Sequence, residues 1–149
     1  MVRARLAPLR RAVGNDRGAA AVEFALVSTL LLLLILGIIA FGFAMFRRQS
    51  ALHAAREGAR LASVGVNDCA DFQEQVANRG SGAAIEQDDV ALAYTDVNGF
   101  GPSVGDEVTV TVPYEVDLSL LGIIGLGTFE DTQTGIARVE QVGTVTACS

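Results

Sequence analysis

The chain has 149 residues, half of them hydrophobic, and a formal net charge of −6, a length that suits one small domain plus an anchor rather than two domains. All eleven basic residues are arginine: Arg3, Arg5, Arg10, Arg11 and Arg17 precede a long hydrophobic run, and Arg47, Arg48, Arg56 and Arg60 follow it closely. From Leu61 onward, fourteen Asp and Glu face only Arg79 and Arg138, a balance of about −12 that repels phosphates and argues against nucleic-acid binding.

Residues 24–46 form 23 positions without a charge, FALVSTLLLLLILGIIAFGFAMF. As a helix this run is about 34 Å long, enough to cross a bilayer. It is too long for the apolar core of a cleaved secretory signal, and no small-x-small site follows it before Arg47-Arg48. Arg10-Arg11 is followed by Ala-Val-Gly-Asn-Asp, which fits a twin-arginine signal poorly. Five arginines before the run and four after it leave the positive-inside bias thin. The short N-terminal tail, the cysteines on the far side and the compact character of the C-terminal part predict a single pass of the cytoplasmic membrane. The N-terminus is then inside and the C-terminal domain extracytoplasmic.

Just before the run stands Arg17-Gly18-Ala19-Ala20-Ala21-Val22-Glu23-Phe24. A glutamate at the mouth of an apolar helix costs energy unless it is interfacial or paired. A cut between Gly18 and Ala19 creates a positive amine with Glu23 one turn along the same face, free to pair with it or with the amine of a neighbouring subunit. Such a pair in a low-dielectric bundle sets an axial register. Gly18, without a side chain, suits a narrow protease cleft. Alternatively, Glu23 simply caps the first turn and complements the helix dipole. The residues alone leave both readings open.

Arg47 to about Val64 is predicted to continue the helix. Leu52, Ala55, Ala59 and Ala62 fall at helical spacing and give a narrow stripe of mostly small residues. Glu57 and Arg60 are spaced to pair, and Gly58 points to close backbone packing. The stripe faces either the protein's own domain or a second subunit.

Gly18 followed by Glu23-Phe24 and a long apolar helix resembles a type IV prepilin cleavage site. The string Arg17-Gly-Ala-Ala-Ala-Val-Glu-Phe-Ala-Leu-Val27 resembles the start of TadE-like and TadG-like proteins of tight-adherence pili. Phe46-Arg-Arg-Gln-Ser-Ala-Leu-His-Ala-Ala-Arg-Glu-Gly-Ala-Arg60 is similar to that family's second signature, at matching spacing. The resemblance covers roughly residues 17–64; beyond residue 70 it is only a loose strand pattern. It implies cleavage after Gly18 by a prepilin peptidase, methylation of Ala19, and subunit contacts through Glu23 and Phe24. The implied role is minor pilin or pseudopilin, with the lipid bilayer and other pilins or pseudopilins as partners. The short C-terminal domain favours the TadE-like over the TadG-like proteins.

Cys69 and Cys148 lie on the same side of the run, and in an exported domain a disulfide is the natural reading, with two free thiols as the alternative. Closing so long a loop stabilises a fold by roughly 4–5 kcal/mol in the chain-entropy account. A zinc site is poorly supported, because the lone histidine, His53, is distant in sequence. Asp71-Phe-Gln-Glu74 has capping-box spacing and predicts a short helix to about Arg79, ended by Gly80-Ser81-Gly82.

Then the period changes to two. Val90, Leu92 and Tyr94 alternate with Ala91, Ala93 and Thr95, and Val108, Val110, Val112, Tyr114 and Val116 alternate with Thr109, Thr111, Pro113, Glu115 and Asp117. Pro113 places its strand at an edge, or leaves it paired on one side there. Residues 98–105 read as a turn-rich loop, and a third strand is expected within Thr134–Ala147. Residues 118–129, apolar and glycine-rich, are too short to cross a bilayer; they suit a buried loop, a dip to the membrane surface or a subunit contact.

No motif for catalysis stands out. No glycine-rich phosphate loop follows a strand, and His53 has no recognisable nucleophile partner. Asp88-Asp89 and Asp106-Glu107 read as solvated acidic pairs, with a weak calcium site as the alternative. The expectation is a non-enzyme without a cofactor, of α+β class: a transmembrane helix continuing into a small antiparallel sheet on the pilin plan. Its parts are a leader (1–18), the membrane helix (19–46), a helix extension (47–66) and an outer domain (67–149). The expected role is a minor pilin or pseudopilin in assembly of a tight-adherence (Flp-type) pilus. An uncleaved single-pass anchor whose outer domain binds a secretion or envelope partner is the alternative.

Overall fold

The computed structural model describes residues 16–96, 99–117 and 127–149. Most of the expected leader, Asn98 and residues 118–126 of the apolar glycine-rich stretch lie outside them. The chain divides into two compact units, Met1–Gly37 and Ile38–Ser149, and one helix, α1 (Asp16–Ser63), has residues in both.

In the first unit the large apolar side chains of α1 from Val22 to Ile35 are exposed. Its two hydroxyl residues are internally satisfied. Ser28 and Thr29 both donate to the Ala25 carbonyl, at 3.0 and 2.8 Å, so neither leaves an unpaired donor on an apolar helix.

In the second unit α1 continues to Ser63 and is followed by α2 (Cys69–Arg79) and two short 3₁₀ turns (Ser81–Ala83 and Gln87–Asp89). Four strands follow: β1 (Ala91–Thr95), β2 (Glu107–Asp117), β3 (Thr128–Arg138) and β4 (Ala147–Cys148). They form one antiparallel sheet in the order β3-β2-β1-β4. This is the α+β, pilin-like class that the sequence predicts.

The capping box at Asp71 does not open α2. Asp68 does: its extended backbone and its carboxylate, accepting from Ala70 N at 2.8 Å and Asp71 N at 3.3 Å, make it the N-cap. Asp71 lies one turn inside, where its charge complements the dipole. The helix ends at Gly80 as expected.

β2 buries Val108, Val110, Val112, Tyr114 and Val116, the alternating set read from sequence. It is an inner strand, so Pro113 does not mark an edge. The one-sided alternative holds instead, for β1 pairs with β2 only from Thr111 to Glu107, whereas β3 pairs along all of it. Pro113 shares its parity on β2 with Glu115, whose carbonyl turns away from β3 to accept from Arg47, so the N–H that proline lacks would point to the side β1 does not reach, and no ladder bond is broken.

β3 starts at Thr128, well before the expected third strand. Its inner face carries almost no hydrophobic signal: Gly135 is its only fully buried residue, and Ala137, Gln133 and Asp131 are half-buried. The expected segment instead holds the end of β3 and the first of the two residues of β4.

The core forms because α1 comes very close to the sheet. Ala51, Ala54, Ala55, Gly58, Ala59 and Ala62 are all buried, a wider stripe than the sequence suggested, with Leu52 at its flank. A Cβ on Gly58 would lie 2.9 Å from Val76 Cγ2 and 3.1 Å from Val110 Cγ1. A Cβ on Gly135 would lie 2.1 Å from the Ala55 carbonyl oxygen. Helix backbone and strand backbone thus meet with no side chain between them, and the bulk comes from the valines of β2 and from Phe72 and Val76 of α2.

Residues 139–148 strap the end of α1. Ser63 O accepts from Glu140 N at 2.7 Å and Gln141 N at 3.0 Å, and Val145 N donates to Val66 O at 3.0 Å. Thr144 Oγ1 donates to Asn67 O at 3.2 Å. Cys69 and Cys148 then close a disulfide, with Cα atoms 5.7 Å apart across 79 residues.

Gly135→Ala is expected to cost about 1–3 kcal/mol through overpacking, whereas Thr134→Ala on the outer face stays within about 0.5 kcal/mol. Cys148→Ser is expected to cost about 2–5 kcal/mol. Denaturant unfolding of the full chain in detergent micelles, followed by near-UV circular dichroism, checks all three.

Candidate functional site

Gly18, Ala19, Glu23 and Phe24 all lie on α1 and are exposed. Because α1 starts at Asp16, the Gly18–Ala19 peptide sits in its first turn. Ala19 and Glu23 are four residues apart, so their side chains share a face, with Glu23 one turn further along. Phe24 begins the apolar surface.

The candidate span, Gly18–Ser63, contains an 18-residue window of mean hydropathy 2.9 in which no residue is buried in the protein. It is the one helix among the described residues long and apolar enough to cross a membrane. A continuous surface of Leu, Ile and Phe of this size is costly in water and is what a bilayer solvates.

Where the run ends, Arg47 does more than supply a flanking charge. Its guanidinium lies 4.9 Å from the centroid of the Phe43 ring, a cation–π contact, and Nη1 donates to the Glu115 carbonyl at 2.6 Å. β1 does not reach that part of β2, so an α1 side chain takes a sheet acceptor that no strand serves. Nothing near Arg47 in sequence could reveal this, as its partner is 68 residues away.

Further along α1, Glu57 bonds Arg60 at 2.6 Å as its spacing predicts, and it also lies 3.8 Å from Arg79 of α2. The Arg60 hydrogen bond, aided by the charges of Arg60, Arg79 and His53 and opposed by desolvation, holds the Glu57 carboxyl below its ordinary range. His53 is exposed, beside Gln49, Leu52, Arg56 and Glu57 in a shallow hollow, with no cysteine or serine lining it.

The acidic pairs stay apart. Asp88 and Asp89 are exposed, while Asp106 is buried and spends its carboxylate on Ser103 N and Oγ, at 2.8 and 2.7 Å. Glu86, Asp89, Glu115, Glu130 and Asp131 line a surface hollow of about 690 Å³. Among the described residues no group of three or more His, Cys, Asp or Glu is placed to hold a metal.

Together these features define a pilin-like α+β protein whose N-terminal helix is long and apolar enough to cross a membrane. Residues 18–60 match the TadE family, described as TadE-like protein, a stretch that holds the Gly18–Phe24 motif and the Arg47–Arg60 segment. No curated protein and no solved structure matches the chain.

Since the folded Glu57 carboxyl titrates below its unfolded value, its contribution is present above the ordinary glutamate range and is lost as pH falls. The difference in melting temperature between the native chain and Glu57→Gln is therefore expected at pH 7 and to close below about pH 4.3. Thermal melts of both chains across pH 3–7, a range of about four units, check this.

Proposed function

We propose that this protein is a minor pilin or pseudopilin in assembly of a tight-adherence pilus, matured by prepilin peptidase cleavage after Gly18. One observation carries the reading. Gly18, Ala19 and Glu23 stand at the head of an exposed apolar helix, inside the segment that matches the TadE-like family.

The chain inserts with its N-terminus inside and its C-terminal domain outside. The peptidase opens the first turn of α1 and cuts the Gly18–Ala19 peptide. Ala19 then carries the positive amine, the site of methylation, at the positive end of the helix dipole. Glu23, one turn on, offsets that charge or the amine of a neighbouring pilin. An unpaired carboxylate on a bilayer helix costs several kcal/mol at depth, so the pairing selects the axial position of one subunit against the next. Phe24 and the residues after it supply the apolar contact. The family is structural, and the outer domain's role is to present surfaces, not to catalyse.

The mature N-terminus is expected at Ala19 in cells with a prepilin peptidase and upstream of it in cells without one. Mass spectrometry of the N-terminal peptide decides this. An uncut chain in peptidase-positive cells means an uncleaved single-pass anchor instead. Glu23→Ala is expected to leave membrane insertion intact and to lower piliation, seen by counting filaments in electron micrographs. Normal piliation removes the pairing role.

A further inference from the structure

A groove of about 250 Å³ opens between α1 and the far ends of β2 and β3, lined by Ala44, Met45, Arg48, Tyr114, Val116, Phe129 and Asp131. Its walls are sorted into two tiers. Val116 pairs with Phe129 and Tyr114 with Asp131, two residues apart on each strand, so the strand wall changes from apolar to polar over about 7 Å. The helix wall changes in the same sense. Arg48 follows Ala44 by one turn on the same face, about 6 Å along the axis. One tier is therefore Ala44, Met45, Val116 and Phe129. The other is Arg48 with Tyr114, whose hydroxyl donates to Asp131 at 3.0 Å.

Phe41, one turn before Met45 on the same face, carries the apolar tier on into the exposed apolar surface of α1, and Phe129, on the opposite wall, is itself 60 % exposed. Arg48 is exposed as well, while its neighbour Arg47 is engaged by Phe43 and Glu115. If α1 spans the bilayer, the apolar tier adjoins the acyl region and Arg48 stands one turn further out. That is the depth order of an acyl chain and a phosphate.

We propose that this groove seats one phospholipid of the outer leaflet, its acyl chain against Met45, Val116 and Phe129 and its phosphate on Arg48. The bound lipid anchors the β2–β3 end of the domain at the membrane surface. The inference rests on α1 being a membrane span.

The test uses the full chain reconstituted in vesicles of phosphatidylcholine and phosphatidylglycerol, with a trace of phosphatidylglycerol carrying a diazirine in the upper acyl chain. After irradiation, adducts are mapped by peptide mass spectrometry. Adducts are expected on Val116 or Phe129 as well as on the α1 span. Arg48→Gln is expected to lower the strand adducts about fivefold and leave the span adducts unchanged. Retention of the Cys69–Cys148 bond shows that the variant is folded. Span adducts without strand adducts overturn the lipid site. Strand adducts indifferent to Arg48→Gln overturn the phosphate contact. No adducts anywhere overturn the span reading, and the site with it.

Discussion

Between Ala51 and Ala62, helix α1 and the sheet approach until backbone nearly touches backbone. The Ala55 carbonyl and Gly135 leave no room for a methyl group, and Gly58 leaves little between α1 and the valines of α2 and β2. Everything else in the domain follows from that distance. A helix presenting alanine and glycine supplies almost no bulk, so the sheet and α2 must bring it. They do so through Val76, Val108, Val110, Val112 and Phe72. A close interface is also unforgiving. Dispersion is gained over many short contacts, and one added carbon pushes whole elements apart.

The same helix meets two different demands. Its apolar part exposes Leu, Ile and Phe on all sides and keeps its few polar side chains bonded to its own backbone. Its later part is one-sided, small residues toward the sheet and Arg56, Arg60 and His53 toward solvent. Phe43 and Arg47 mark the change. The cation rests on the last aromatic turn and reaches a carbonyl of the sheet, so the boundary between the two parts is tied to the fold and not merely to composition.

How much of this could be read from the chain depended on where the information lay. β2 was plain, because five alternating large residues face one core. β3 was hidden, because its inner face works through Gly135, and a glycine that matters by being small leaves no hydrophobic mark. Gly58 stands out because it interrupts a helix; Gly135, in a polar run, offers no such contrast. The cap of α2 was misplaced by three residues, since Asp68 and Asp71 both suit a helix start and only backbone geometry separates them. The candidate processing site remains a reading of sequence alone, resting on Gly18 and Glu23, which lie close together in the chain. The reach of Arg47 and the tiers of the groove join residues far apart in the chain, and they needed the fold.

The alanine face of α1 has a consequence for how the protein is made. If α1 enters a membrane, the translocation machinery reads its hydrophobic segment before any domain exists, and must decide where that segment stops. A leucine or valine stripe after Phe46 would suit the later core equally well. It would also extend the greasy run past Arg47 and Arg48, letting the chain slide and stop in several positions. Alanine and glycine avoid this ambiguity: they are too weakly hydrophobic to be taken for lipid-facing helix, yet small enough to make a tight core once the sheet arrives. For such an inserted chain the stop is set at one place, and the C-terminal domain begins to fold from a fixed starting line.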